Sequence, residues 1–500
     1  MNAASRFLNL DSIARALWAA ALLTLPVTSF RYFPAGDTTY VRPLSLYPLM
    51  LLAPVLLIQL LRRRTTFPRA GALTPFTAFI LVALATSVIA ILYAPPPMRG
   101  QDIFGRVVRA WATVVIGAVF FVSAVWMNRN EDDLRFSLKW LFAGFILDVL
   151  WSGVQGATFY LHVLPKPLVT HWQRAFSMRE LIKTNRISGL AYEPAWLAGQ
   201  ISTVFLPWLF ASLLTRQRLT RFKWLEPILL VAAVLLLLAT FSRGGLLTVG
   251  ATVALTLLLV GRPQVRAAWI WFVSGFRLAR PEPGRESLGW IWRVGLVLAV
   301  VIAAVGALWF LSRKNYIARL WDGQATSVES FIIQNSAGAR AGYMLGAYGA
   351  YEQHPWTGVG LGASGFYIYN NLPDWTLTIV PELARQLSPG SALYPNPKNL
   401  YVRLLAETGL IGFFLFVAFQ FSILGDALAA LKQKSTFWQF LGVAAIFTWI
   451  AIIFDNMTQD SLALPDMWIN LGMLAGAAAF MIQSKIPRGA GQKKSTEENK

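Results

Sequence analysis

The residues best suited to chemistry are cations placed where an apolar chain has no structural need of them. Arg243 lies in ATFSRGGLLTVGA (239–251), in a tight turn between two apolar runs, beside Ser242, Gly244 and Gly245. Glycines let a backbone turn sharply and let a ligand or a neighbouring helix approach closely. A guanidinium offers planar, paired donors matched to phosphate. A side chain snorkelling to the membrane surface is the structural alternative, but a charge at membrane depth is a functional site by default. Arg340 raises the same possibility in GARAGYMLGAYGAYEQHPWTGVGLGASGFY (338–367), a small-residue amphipathic helix that breaks at His354-Pro355 into a glycine-rich turn. Nothing frames that glycine run as strand, turn and helix, so it is no nucleotide fingerprint.

A third group opens an apolar run: YPNPKNLYVRLLAETG (394–409) carries Lys398, Asn399, Arg403 and Glu407. With a helix starting near Asn399, Asn399, Arg403 and Glu407 stack at i, i+4 and i+8. Arg403 and Glu407 then neutralise each other, which lowers the cost of either at membrane depth. Lys398 has no evident local partner. Arg179, Lys183 and Arg186, spaced i, i+4, i+7 within the basic loop 161–190, would share one helix face turned to an anion, a lipid headgroup or a ligand. Glu193 is a candidate general base. His354, before a proline, is a turn residue or a ligand contact, and Asp455, Asn456 and Asp460 are weaker signals near the end of a span. Three scattered histidines and no cysteine make no zinc site, and no DxD-like cluster is evident.

The elements that must position these groups are membrane helices. The chain is 56% hydrophobic and 14% charged, well below the roughly 25% charge of a soluble domain. Apolar runs near the ~20 residues that cross a bilayer recur at 13–30, 44–61, 75–93, 107–127, 138–160, 191–214, 225–240, 244–261, 289–311, 400–424, 437–457 and 467–483. The expectation is an all-α polytopic membrane protein of about twelve transmembrane helices, with a long, partly helical loop between the ninth and tenth. The net charge of +20 does not point to nucleic acid, because the basic residues cluster in alternate loops. Arg62, Arg63, Arg64 and Arg69, then Arg216, Arg218, Arg221 and Lys223, then Arg262, Arg266, Arg277 and Arg280 belong in the cytoplasm by the positive-inside rule, with both termini. The parts are N-terminal spans (1–160), a basic outer loop (161–190), central spans (191–311), a long outer loop (312–399), C-terminal spans (400–483) and a lysine-bearing, disordered tail (484–500).

Taken in order, SRGG, the arginine-bearing helix with HPWTGVGLG, and PKNLYVRLLAETGLIG resemble the O-antigen ligase and O-antigen polymerase family of bacterial envelope glycosyltransferases. The likeness covers about residues 186–424. It implies a site roofed by a periplasmic loop on the inner membrane, and an undecaprenyl-pyrophosphate-linked glycan donor with no nucleotide sugar; the lack of a metal cluster in the sequence leads to the expectation of a metal-independent reaction without a cofactor. It implies that Arg243 and Arg340 hold the pyrophosphate; Arg186, Glu193, His354, Asn399, Tyr401, Arg403 and Glu407 are the further candidates for binding substrate. Ligases of this kind carry HN-x-Y-x₅-E-x-G at the span after the long loop, the histidine activating the acceptor hydroxyl. Here Lys398 stands in that place, before Asn399, Tyr401, Glu407 and Gly409.

Lysine ordinarily titrates at ~10.4 and needs desolvation or nearby cations to act as a base. Lys398 is read first as a phosphate ligand, leaving the base to Glu193, Glu407 or His354. The expected activity is polymerisation of an envelope polysaccharide, with ligation to lipid A core as the alternative and a chain-length regulator as a further partner. Transport of an anion or lipid-linked glycan is the reading from another class. It predicts paired repeats and midplane charges, whereas the charges here gather at one edge.

Overall fold

The computed structural model describes residues 9–34, 39–63, 65–181, 185–274, 289–312, 327, 330, 332 and 337–483. The expected tail over 484–500 and the basic residues Arg64, Lys183, Arg277 and Arg280 lie outside these. Every expected apolar run coincides with a helix, because a chain in lipid must satisfy each backbone group within its own segment. In order they are α1 (Leu10–Leu23), α2 (Leu46–Leu61), α3 (Leu73–Leu92), α4 (Ile103–Met127), α5 (Glu131–Phe159), the short α6 (Lys166–Arg174) and α7 (Pro194–Thr215). There follow α8 (Leu225–Ala239), α9 (Arg243–Leu259), α10 (Arg262–Ser274), α11 (Gly289–Ser312) and α12 (Gly338–Gln353). Short α13 (Ser364–Ile368), α14 (Asp374–Ile379) and α15 (Pro381–Gln386) lead to α16 (Leu400–Leu431), α17 (Thr436–Asn456) and α18 (Pro465–Gln483).

Among the described residues, 7 helices are long and apolar enough to cross a membrane, or 8 when α9 and α10, bent by 87°, count as one span. Beyond helices the described residues hold only isolated bridges, such as Ser29 with Arg42. The first run is shorter than its hydropathy suggests: α1 stops at Leu23, just ahead of Pro26, which has no N–H to extend the ladder.

Burial separates the centre of the bundle from its rim. The apolar window of α18 is 89% buried and that of α7 is 83%, against 33% for α3. Small residues make the centre possible. A Cβ on Gly472 would lie 2.6 Å from the Phe121 carbonyl oxygen, and one on Gly476 2.5 Å from that of Val125. This spacing of four brings the α4 and α18 backbones together, the means by which helices pack in lipid. Within α7, residues Ile201–Phe205 form a π turn. Asn470 of α18 donates to the Thr203 carbonyl (2.7 Å) and the Val204 carbonyl (3.0 Å), and accepts from Trp208 (2.9 Å). A displaced helical ladder is thereby satisfied by a neighbour.

Helices alternate direction, so their connections collect at two ends. At one end Arg129 donates to Thr66 and Arg135 to Arg218, both at backbone carbonyls. The other end gathers 24–34, 39–45, 93–102, 160–181, 185–193, 240–242, 337–399 and 457–464. Contacts there include Met178 N–H to Ser29, Tyr192 N–H to the Thr28 hydroxyl, and Arg99 to the carbonyls of Leu387 and Ser391. Among the described residues, the cations singled out from the sequence as candidate site residues lie at this second end or in the first turns of the helices that leave it.

Candidate functional site

Helix α8 ends at Ala239 and the chain reverses within three residues, helped by Phe241 at φ 47°. Ser242 caps α9 by accepting the Gly245 N–H (3.3 Å), which fixes Arg243 as the first helical residue. Both glycines of SRGG face neighbours. A Cβ on Gly245 would lie 2.4 Å from that of Ala198 in α7, and one on Gly244 3.8 Å from the Thr458 side chain. The basic loop joins the same turn. Arg186 Nε donates to the Thr240 carbonyl (2.8 Å), and the Ile187 N–H to that of Ala239 (3.1 Å). Buried Gln155 accepts the N–H groups of Ser188 and Gly189 (3.0 Å each), anchoring this stretch in α5.

The turn after α17, NMTQD (456–460), is the hub of the site. Its carbonyls and one carboxylate receive groups from two other segments. Arg340 Nη1 donates to the Thr458 carbonyl (2.5 Å), and Asn399 Nδ2 to that of Met457 (3.1 Å). Arg403 Nη1 donates to the Asp460 carbonyl (2.6 Å), and the Lys398 N–H to Asp460 Oδ2 (2.9 Å). Lys398 has φ 58°, a left-handed conformation rare for a lysine. With Gly244 against Thr458, the segments bearing Arg243, Arg340 and Lys398 meet around one five-residue turn.

Arg403 and Glu407 form the expected ion pair, Nε to Oε2 at 2.9 Å, with side chains only 12% and 2% exposed. Glu407 Oε1 accepts from the Ser364 hydroxyl (2.8 Å). Two residues later α16 breaks at Gly409, with φ 63° and ψ −170°. The break leaves carbonyls without helical donors, and the loop after α12 supplies them. Val359 N–H donates to Ala406 (2.8 Å) and Gly360 N–H to Glu407 (2.9 Å), while Leu410 N–H returns a bond to Pro355 (2.8 Å). The glycines of HPWTGVGLG therefore latch a loop into a broken helix.

Several expectations are corrected. Arg179 and Arg186 do not lie on one helix, because α6 ends at Arg174 and Asn185 takes φ 53°. Gln155 and Asp148 draw the 188–190 backbone inward instead, Asp148 accepting the Leu190 N–H. Asn399 does not stack inside α16 but caps it, accepting the Val402 N–H (3.1 Å). Glu193 is tied to Arg179 (3.3 Å), whose guanidinium lies over Tyr192. His354 is exposed, ends α12, and sets its ring edge-on against Tyr367. Tyr401 faces Gln420 down α16 at 3.4 Å. Glu193 and His354 thus make their contacts away from the 456–460 hub, whereas Tyr401 also reaches Asn456 at its start.

Sequence reasoning missed Arg106, Tyr394 and the role of Asp460. Arg106 projects from the first turn of α4 over the Tyr394 ring (3.7 Å), and its Nε is buried without a hydrogen-bond partner. Tyr394 donates to the Gly362 carbonyl (3.0 Å), and burial raises its phenol well above the ordinary value, so it remains a neutral donor. Arg106 at the edge of an apolar run was the available signal. Asp460 gave only a weak signal at the end of a span, because its partners are some 60 residues away in the chain. At the same end a cleft of about 590 Å³ opens between Arg31, Tyr32, His171, Arg174 and Glu180. Among the described residues no group of three or more acidic or histidine side chains could hold a metal ion.

Residues 228–417 match the family model described as O-Antigen ligase. The match begins in α8, includes the arginine turn and α12, and ends beyond the Gly409 break. No curated protein matches the chain.

Proposed function

We propose that this chain, in which residues 228–417 carry the O-antigen ligase family domain, transfers a glycan from a lipid-pyrophosphate carrier to a sugar hydroxyl. In this reading the hub end faces the periplasm and both termini face the cytoplasm. The bond between the sugar anomeric carbon and pyrophosphate breaks, and the leaving oxygen gathers negative charge. Preorganised cations meet that charge without reorganising, a form of stabilisation worth about 10²–10³ per donor removed. Arg243 and Arg340 hold the pyrophosphate, with Lys398 as a third cation and Arg186 beside them. Arg403 has its donors on Glu407 and Asp460 and acts by setting the start of α16.

The observation that carries this proposal is convergence: separate segments of the chain place cations or their immediate neighbours on the 456–460 turn. A clustered anion such as pyrophosphate is the ligand such a constellation suits. Polymerisation of an envelope polysaccharide is preferred, because Lys398 stands where the resemblance puts a ligase histidine. Ligation to lipid A core is the second reading, favoured by the description of the matching family.

Purified protein is incubated with a synthetic undecaprenyl-pyrophosphate oligosaccharide, and the products are sized. Chain extension is expected; transfer only onto added lipid A core supports the ligase, and intact donor after incubation with folded protein refutes transfer. Lys398→Arg is expected to keep activity that Lys398→Ala loses, as a phosphate cation requires.

A further inference from the structure

We propose that Asp460 takes the proton of the acceptor hydroxyl, replacing the missing histidine from a different part of the chain. This rests on the glycosyl-transfer reading. Every base considered from the sequence is otherwise engaged. Glu407 is buried, with one oxygen on Arg403 and the other on Ser364. Glu193 is paired with Arg179, and His354 is turned against Tyr367 at the end of α12. Asp460 differs on each count. It is half-buried, lies on the turn where the cations converge, and has its Oδ2 fastened to the backbone N–H of Lys398 at 2.9 Å. Its Oδ1 has no hydrogen-bond partner among the described residues.

The backbone contact places this carboxylate beside the position where the resemblance puts the histidine. The peptide chain brings Lys398 there, and the 456–460 turn brings the carboxylate to it. Because Oδ2 is held by a backbone donor and the Asp460 carbonyl by Arg403 (2.6 Å), the carboxylate is oriented independently of substrate, as a base must be.

The step balances simply. The acceptor oxygen forms a bond to the anomeric carbon of the donor. The bond from that carbon to the pyrophosphate oxygen breaks, and its electron pair leaves with the lipid pyrophosphate. The hydroxyl proton passes to Asp460 Oδ1 and from there to water. Lys398, Arg243 and Arg340 then serve the leaving group, which resolves the conflict of asking a lysine to be both cation and base.

Asp460→Asn is the decisive variant, since its amide oxygen can still accept the Lys398 N–H while the side chain can no longer take a proton. Turnover is expected to fall about 10²–10⁴-fold, with donor KM within threefold of the unsubstituted protein. Asp460→Glu is expected to recover part of the loss, and added formate to restore turnover to Asp460→Ala in proportion to its concentration. Turnover of Asp460→Asn within threefold of the unsubstituted protein overturns the proposal. So does a loss of donor binding that matches the loss of turnover, which marks a merely positioning residue. If the unsubstituted protein consumes no donor, the transfer reading itself fails, and that outcome is distinct from either.

Discussion

Gly409→Ala tests the latch between α16 and the loop after α12. Gly409 combines φ 63° with ψ −170°, a backbone region that is essentially glycine-only and costs an alanine about 1–3 kcal/mol. The added methyl would also lie 2.3 Å from the Trp356 carbonyl oxygen and 2.7 Å from the Thr357 nitrogen. Relieving such overlap in a packed site costs about 1–3 kcal/mol more. The combined penalty is about 2–6 kcal/mol. It falls on the bonds from Val359 to Ala406, Gly360 to Glu407 and Leu410 to Pro355. An unfolding entropy of about 2.1 cal/mol/K per residue gives about 1 °C per kcal/mol for a chain of 500 residues, so the denaturation midpoint in detergent should fall by ~2–6 °C. Scanning tryptophan fluorescence suits a chain with 20 tryptophans and no cysteine to oxidise. Gly425→Ala is the matched control. It lies in the same helix with nothing within 4 Å of the new methyl, and should be neutral or stabilise by about 0.5–1 kcal/mol. If Gly409→Ala unfolds with the unsubstituted protein while the control behaves as stated, the latch does not hold α16 in its broken form.

Glu407→Ala should destabilise by about 3–5 kcal/mol, because it strands the nearly buried Arg403. The double change Arg403→Met with Glu407→Met should be less harmful than the sum of the single changes, and additive midpoint losses would contradict the pair. Arg243→Ala and Arg340→Ala should each lower turnover about 10²–10³-fold; Arg340, being exposed, should leave the midpoint unchanged. Full activity in both variants removes the pyrophosphate clamp. Because the chain has no cysteine, single introduced cysteines report orientation without background. Glu352→Cys should react with an impermeant maleimide in whole cells with a permeabilised outer membrane. Lys434→Cys should react only after the inner membrane is opened, and the reverse pattern would invert the proposed topology.

Much of this protein follows from contiguous residues. A run of about twenty apolar residues in lipid must close its own hydrogen bonds, so each apolar segment found in the sequence is a helix here. Arg403 and Glu407, four apart, meet because one turn of helix puts them together. Ser242 and Asn399, each followed by an apolar run, cap α9 and α16 by the same local rule. The tertiary structure alone decided what breaks those rules. The carbonyls of Ala406 and Glu407 are released by the Gly409 break and met by a loop some fifty residues earlier, a pairing no local pattern encodes. Lys398 looked partnerless because its backbone partner, Asp460, lies beyond two membrane helices. The basic loop read as a helix face until Gln155 and Asp148, buried in α5, drew its backbone inward. Local ladders depend on neighbours in sequence, whereas a site at the end of a bundle depends on which turns the packing of whole helices brings to the same place.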